Sequence, residues 1–343
     1  MNLSLQKQEV NDVRSQTSRR RGGQMARLKI GYLLPTRDQS VLGEHDLGRL
    51  VAQARRAEQL GLDSVWAGDS PVTRPRADPL LLLAAAAQAT ERVALGTAVL
   101  LPALRHPILL AHQLATLDRL SGGRLIAGMG GGFSNPSTQA QFAAVGVGFE
   151  RRISRREESI DAMRQLWSGE AVSYQGEHFA FEDVRIAPLP SRPGGPSIWL
   201  AASGAPALRR VARLADGWLP YQPAATTYAQ EREVIEAAIE QAATPRSVTP
   251  ALYATLCLDE NPGNARWRLQ TSIERYYNVP LEFIASIQAV FAGTARQAAD
   301  WLTGYVAAGA RHLVIRLATD DHDAGLEEFA DQVLPLLRAE NHR

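Results

Sequence analysis

Side chains of the kinds that do chemistry stand at the ends of short apolar runs. Pro35-Thr36, Asp69-Ser70, Thr97-Ala98, Gly130 to Gly132, Ser203-Gly204, Tyr221 and Arg316 each follow one. Asp69 is the only carboxylate that directly ends such a run in the first half of the chain. It is a candidate proton donor or hydrogen-bond partner to a ligand, and the plainer role is a cap for the loop that follows. Leu117 to Phe133, LDRLSGGRLIAGMGGGF, reads as a helix end, a Ser-Gly-Gly turn, a strand over Leu125 to Ala127, then glycines. Gly130, Gly131 and Gly132 lack side chains where the strand ends, so a flat ligand could lie against bare backbone. The stretch is not a dinucleotide fingerprint. Phe133 stands where the third glycine belongs, and Asn135-Pro136 predict irregular chain rather than an immediate helix.

Ser203-Gly204-Ala205-Pro206 passes from strand to helix through small residues, and the free amides of a helix start form an anion site. No lysine in Walker spacing follows, so a phosphate on a flavin-type tail fits better than a nucleoside triphosphate. His106 precedes a proline-opened helix. It is a candidate catalytic residue, with a loop-packing histidine as the other reading. His45, His178, His312, His322 and His342 show no metal-ligand spacing, and no metal site is assigned.

These residues are scattered, so the elements between them must gather them. Lys29 to Leu34 is the first strand candidate. Asp46 to Leu60 carries Leu47, Leu50, Val51, Ala54, Ala57 and Leu60 as a helical stripe with Asp46 as its cap. Ser64 to Ala67 is the second strand, Asp78-Pro79 opens a helix, and Val93 to Leu100 is the third strand. Pro107 opens the next helix and Leu125 starts the fourth strand. Glu150 to Trp167 is a helix with Ile153, Ile160, Met163, Leu166 and Trp167 on its inner face. Val172 to Phe181 alternates around Gln175-Gly176-Glu177 and reads as a hairpin. Ile198 to Ala202, Trp218 to Tyr221, Ala251 to Leu258 and His312 to Leu317 complete eight strands, while Arg266 to Tyr277 and Leu281 to Val290 read as helices. The alternation predicts an α/β TIM (β/α)8 barrel with the hairpin inserted before strand 5, its strand C-termini meeting on one rim. An open doubly wound sheet is the alternative.

The chain has 343 residues, 45% of them apolar, and a formal net charge of +1. Nothing in that balance attracts nucleic acid or an acidic membrane. Cys257 is the only cysteine, in the apolar run ALYATLCL, and reads as a small core residue. The longest apolar run, Leu80 to Ala87, is well short of the ~20 residues that span a bilayer. The first residues are polar and reach Arg19-Arg20-Arg21 without the apolar core of a signal peptide. Residues 1–25 are therefore expected to be a disordered tail, with Met25 an alternative start, and residues 26–343 a single barrel domain. A cytoplasmic homodimer is the expected form.

At these residues the sequence resembles the luciferase-like flavin-dependent oxidoreductases, the bacterial luciferase-like monooxygenase family. The resemblance runs from Lys29 to Leu337 and is carried by LGLDSVWAGDS, TERVALGTAVLLPALRHP, AHQLATLDRLSGGRLIAGMGGG, ERRISRREESIDAMRQLWSGEAVSYQGEHF and RRVARLADGW. It implies a barrel that binds FMN or coenzyme F420 with the ring at the strand C-termini. A bulge backing the ring, often with a non-proline cis peptide, is expected at Thr97-Ala98. The acidic residue after the second strand is Asp69; many relatives follow it with histidine, where this chain has Ser70. The phosphate tail is expected near Ser203-Gly204 and Gly130 to Gly132. The leading expectation is a monooxygenase acting on a small organic substrate with reduced flavin and O2. The alternatives are an F420-dependent hydride-transfer reductase or dehydrogenase, like methylenetetrahydromethanopterin reductase, and a flavin-binding protein without turnover.

Overall fold

A computed structural model describes residues 27–242 and 246–340, so the expected tail (1–25) lies outside the described residues. The strands are β1 (Lys29–Leu33), β2 (Ser64–Ala67), β3 (Ala94–Thr97), β4 (Leu125–Met129), β5 (Val172–Gln175), β6 (Ala180–Val184), β7 (Ser197–Leu200), β8 (Gly217–Trp218), β9 (Thr249–Leu258), β10 (Ala289–Gly293) and β11 (His312–Leu317). β11, β1, β2, β3, β4, β7, β8 and β9 lie side by side in that order, all parallel, and β9 pairs back with β11. That closes an eight-stranded TIM barrel. β5 and β6 form the expected antiparallel hairpin, outside the barrel and ahead of its fifth strand.

Barrel strands are buried on both faces, so alternate residues enter two different cores. Leu33, Trp66, Trp199, Leu219, Ala251 and Val314 pack together inside the barrel. Their neighbours along the strands, such as Ile30, Val65, Leu95, Ala127 and Leu313, pack outward against the helices. Trp66 and Trp199 lie 5.4 Å apart inside, and glycine neighbours make the room. A Cβ on Gly96 would come within 2.0 Å of Trp66, and one on Gly217 within 2.5 Å of Trp199. Pairing large with small residues fills the interior solidly.

The helices begin where the sequence signals them. Asp46 accepts from the Gly48 amide at 2.9 Å, and Asp78 accepts from the Leu80 and Leu81 amides ahead of a first-turn proline. In the helix Pro107–Leu120, Leu110, Ala111 and Leu114 are wholly buried against the sheet. Burial of each leucine contributes roughly 1.5–3 kcal/mol, and Leu114→Ala would cost about 2–5 kcal/mol.

Four local expectations are corrected. β3 ends at Thr97 rather than Leu100, and the cis peptide lies at Ala98–Val99, one residue later than expected. β4 runs on through Gly128 to Met129, since its backbone stays paired with β7. After the irregular residues 130–134, Asn135 caps a helix, Pro136–Ala144, by accepting from the Thr138 amide at 2.8 Å. Residues 289–293 form β10, where the sequence read helix as far as Val290. The cause is tertiary. β8 spans only Gly217–Trp218 beside the start of β9, and β10 runs along the upper half of β9 from Ala254 to Leu258. The Ala289 amide donates to the Tyr221 carbonyl, so the inserted strand continues the wall.

Candidate active site

The strand C-termini surround a cavity of about 450 Å³, within the range of small-ligand sites. Asp69 and Ser70 line it from the end of β2, Ala98 and Val99 from the end of β3, and Gly130 to Phe133 from the end of β4. Ala201 to Ser203 follow β7, Tyr221 follows β8, and Tyr253 rises from β9. Tyr276 and Tyr277, at the end of the helix Pro262–Tyr277, close another side. The barrel thus collects most of the sequence candidates on one rim.

Their roles separate on inspection. The Asp69 side chain is only 2% exposed and is fully engaged. It accepts from Arg105 Nη1 at 2.6 Å and Nη2 at 3.2 Å, and from the Leu101 amide at 3.0 Å. Each carboxylate oxygen therefore fixes the segment after β3 to the end of β2. Ser70 Oγ donates to Gln141 Oε1 and accepts from the Arg74 amide, both at 3.0 Å, which shapes the loop that follows. Thr97 is buried beneath the floor and does not line the cavity; its hydroxyl donates to the Gly128 carbonyl at 2.7 Å. Ala98, with Val99, supplies the floor itself.

The glycines carry a double constraint. A Cβ on Gly130 would meet Val99 at 2.5 Å, and one on Gly131 would meet Ile153 Cδ1 at 2.6 Å. Gly131 therefore also faces the helix Arg152–Leu166, where the flexible end of Ile153 would have to shift to admit a Cβ, whatever lies in the cavity.

The helix start at Ser203-Gly204 already faces an anion of the protein's own. Glu231 Oε1 accepts from the Ser203 hydroxyl and the Gly204 amide, each at 2.8 Å, and Gln222 also donates to this carboxylate. The sequence reading left these donors open; a residue 27 positions further on closes them. His106 stands outside the cavity. Its Nδ1 accepts from the Ile108 amide at 3.3 Å and its ring packs edge-on to Phe179 of the hairpin. That is the geometry of a helix cap packed against the hairpin, and burial and Arg155 lower its pKa from the usual histidine range. Arg316 is buried behind Tyr276 and bonded to Asp38 at 2.6 Å. Thr36, buried as well, starts a helix.

Arginines are what the sequence reading missed. Arg74, Arg76, Arg156 and Arg210 all line the cavity. Arg156 is 4% exposed, and its buried Nε has no hydrogen-bond partner among the described residues. Burial pushes its pKa down to about 10. A signal for it existed: Ile153, Arg156, Ile160 and Met163 recur at helical spacing, so Arg156 lies in the inner stripe of its helix. With Asp69 neutralised by Arg105, the cavity carries uncompensated positive charge. Burial also raises the Tyr221 pKa to about 12 and raises that of Tyr277, so these phenols remain neutral walls.

The geometry can be tested against the cofactors that the sequence suggested. FMN and F420 both join a flat ring to a phosphate-bearing tail. The Ala98–Val99 floor offers a flat contact, and the orphaned guanidinium of Arg156, beside Gly131, offers a buried cation. Those residues fit such a ligand, with Arg156 rather than the Gly204 amide as the available anion partner.

A closed parallel barrel with its cavity at the strand C-termini defines the chain as a TIM-barrel protein of enzyme type. The family model described as luciferase-like monooxygenase matches residues 28–284. The chain is 32% identical over 345 residues to the F420-dependent glucose-6-phosphate dehydrogenase of Kineococcus radiotolerans, covering 91% of this chain and 97% of that protein. An F420-dependent secondary alcohol dehydrogenase, solved with an F420–acetone adduct, shares the fold with a TM-score of 0.77 at 20% identity, covering 91% of this chain and 99% of that one. The monooxygenase RslO1 from Streptomyces bottropensis does so with a TM-score of 0.76 at 24% identity, covering 90% and 99%. The chain belongs to the luciferase-like monooxygenase family, and it is an oxidoreductase.

Proposed function

We propose that the protein is an F420-dependent dehydrogenase or reductase acting on a small organic substrate. The full-length relative from Kineococcus radiotolerans, named as F420-dependent, supports this reading over the monooxygenase expected first. Bound F420 would supply two-electron hydride chemistry; orientation and exclusion of water fall to the protein. Ala98 and Val99 form the floor, and the Asp69–Arg105 pair holds the following segment in place by bonding the Leu101 amide. Tyr221, Tyr253 and Tyr277 make a neutral, largely apolar wall. Arg156 would hold the phosphate of the tail. Asp69 acts here as a positioning residue and His106 as a helix cap.

The observation that carries the binding of a phosphate-bearing cofactor is the buried, unpartnered Arg156 beside the glycine stretch, while the choice of F420 over FMN rests on the relative. Both are tested by titrating the protein with F420 and with FMN, following deazaflavin or flavin fluorescence. F420 should bind once per chain, more tightly than FMN. Arg156→Leu should weaken F420 about 10- to 100-fold, the loss expected for one charged hydrogen bond. Absence of F420 binding below millimolar concentration would sink the reading.

A further inference from the structure

A second group of arginines enters the cavity from another wall. Arg74 and Arg76 lie on the loop after β2, two strands from the β4 glycines beside which Arg156 stands. The Arg74 guanidinium is held over the rings of Tyr277 and Phe133, at 5.3 Å and 5.9 Å from their centres. Its side chain has no carboxylate and no hydrogen-bond acceptor among the described residues. Arg76 donates Nη1 to the Tyr276 hydroxyl at 3.0 Å and Nε to the Arg74 carbonyl at 3.2 Å, and it too lacks a carboxylate there. Near them Arg37 keeps a buried Nε without a partner among the described residues. The acidic side chains that could balance the group are engaged: Asp38 with Arg316 and Asp69 with Arg105, each at 2.6 Å. Burial, then the charge of Arg76, lowers the Arg37 pKa, and burial and Arg76 act on Arg74 in the same sense.

Like charges gathered without a counter-ion are costly, and an entering anion relieves that cost. Guanidinium groups bind carboxylates and phosphates through paired N–H donors, while the aromatic faces favour a flat or apolar body. We propose that Arg74 and Arg76 form a substrate subsite, and that the substrate is an organic anion whose carboxylate or phosphate they bind. This rests on reading the cavity as an F420 site in which Arg156 takes the cofactor's phosphate.

Benzoate and its neutral isostere benzamide probe the subsite, titrated by calorimetry into the protein with and without F420. Benzoate should bind about tenfold or more tightly than benzamide, and Arg74→Gln should remove that preference. Arg76→Gln, as a second variant, should do the same, with melting temperature confirming that each is folded. The F420 affinity of both variants, read by deazaflavin fluorescence, should stay within about twofold of the parent. Equal binding of benzoate and benzamide by the parent overturns the proposal. So does a tenfold loss of F420 affinity in Arg74→Gln, which would give these arginines to the cofactor. Benzoate preference in the cofactor-free protein is read independently of F420, so failure of the cofactor reading is seen separately.

Discussion

Asp69 shows how far one residue's position and its role can part. Its place at a strand end was legible in the sequence, and the barrel puts it on the rim. Its partner was not legible, because Arg105 lies 36 residues further on and only the closed sheet brings them together. With both oxygens committed, the carboxylate works as a clamp. Asp69→Asn keeps one acceptor but removes the charge that balances Arg105, whose side chain is 19% exposed. The expected loss is about 1–3 kcal/mol of stability, as for a buried charged group short of its partner, together with weaker F420 binding as the Leu101 segment loosens. Denaturant unfolding and cofactor titration of the same variant check this. An Asn variant of parental stability and affinity, but with turnover lost, would restore the proton-transfer role. Arg156 is the opposite case. It sat in plain view within an apolar stripe, but among neighbouring arginines it reads as one more solvated charge until the helix is seen packed over the cavity.

Elements were more legible than residues, for a physical reason. A helix with a cap and a 3.6-residue stripe, or a short apolar run closed by glycine, carries its own local signal. The caps at Asp46 and Asp78 and the hairpin around Gly176 are of this kind. β10 was not legible, since AVFAG is too short to show a period and its strand form is imposed by the gap between β8 and β9. The glycine stretch was seen, but its surroundings were not: Gly131 faces Ile153 on a helix as well as the cavity. Packing and ligand contributions separate in a double-mutant cycle. If packing sets the constraint, Gly131→Ala should destabilise by about 1–3 kcal/mol, typical of overpacking, and Ile153→Ala should recover part of that loss. F420 affinity measured across the same four proteins tells the rest. A Gly131→Ala variant of unchanged stability but much reduced affinity would make the ligand the sole reason for the glycine.

At the scale of the whole molecule, the two ends of the barrel do different work. The C-terminal end holds the cavity, and the N-terminal half holds a packed interior with a titratable group in it. His312 begins β11, is 1% exposed, and places Nε2 2.7 Å from Ser64 Oγ. Its ring stands edge-on to Trp66 and Trp199. Burial, aided by Lys29, pushes its pKa down to about 3, so the folded protein keeps it neutral. In the unfolded chain the same group has a pKa near ~6.5. Below that value the unfolded state binds a proton that the folded state refuses, so stability falls with acidification from about 6.5 towards about 3. The slope for one such group approaches ~1.4 kcal/mol per pH unit. His312→Gln removes the titration and keeps a polar group facing Ser64. The variant should be less stable than the parent at pH 7, because the aromatic packing is lost. Its disadvantage should shrink as the pH falls through 5 and 4. Denaturant unfolding of both proteins across that range measures the difference directly, since acid effects elsewhere in the chain cancel. Parallel curves would mean that His312 titrates alike in both states. F420 affinity should be the same in the two proteins at pH 7, because the histidine lies in the stabilising half of the barrel.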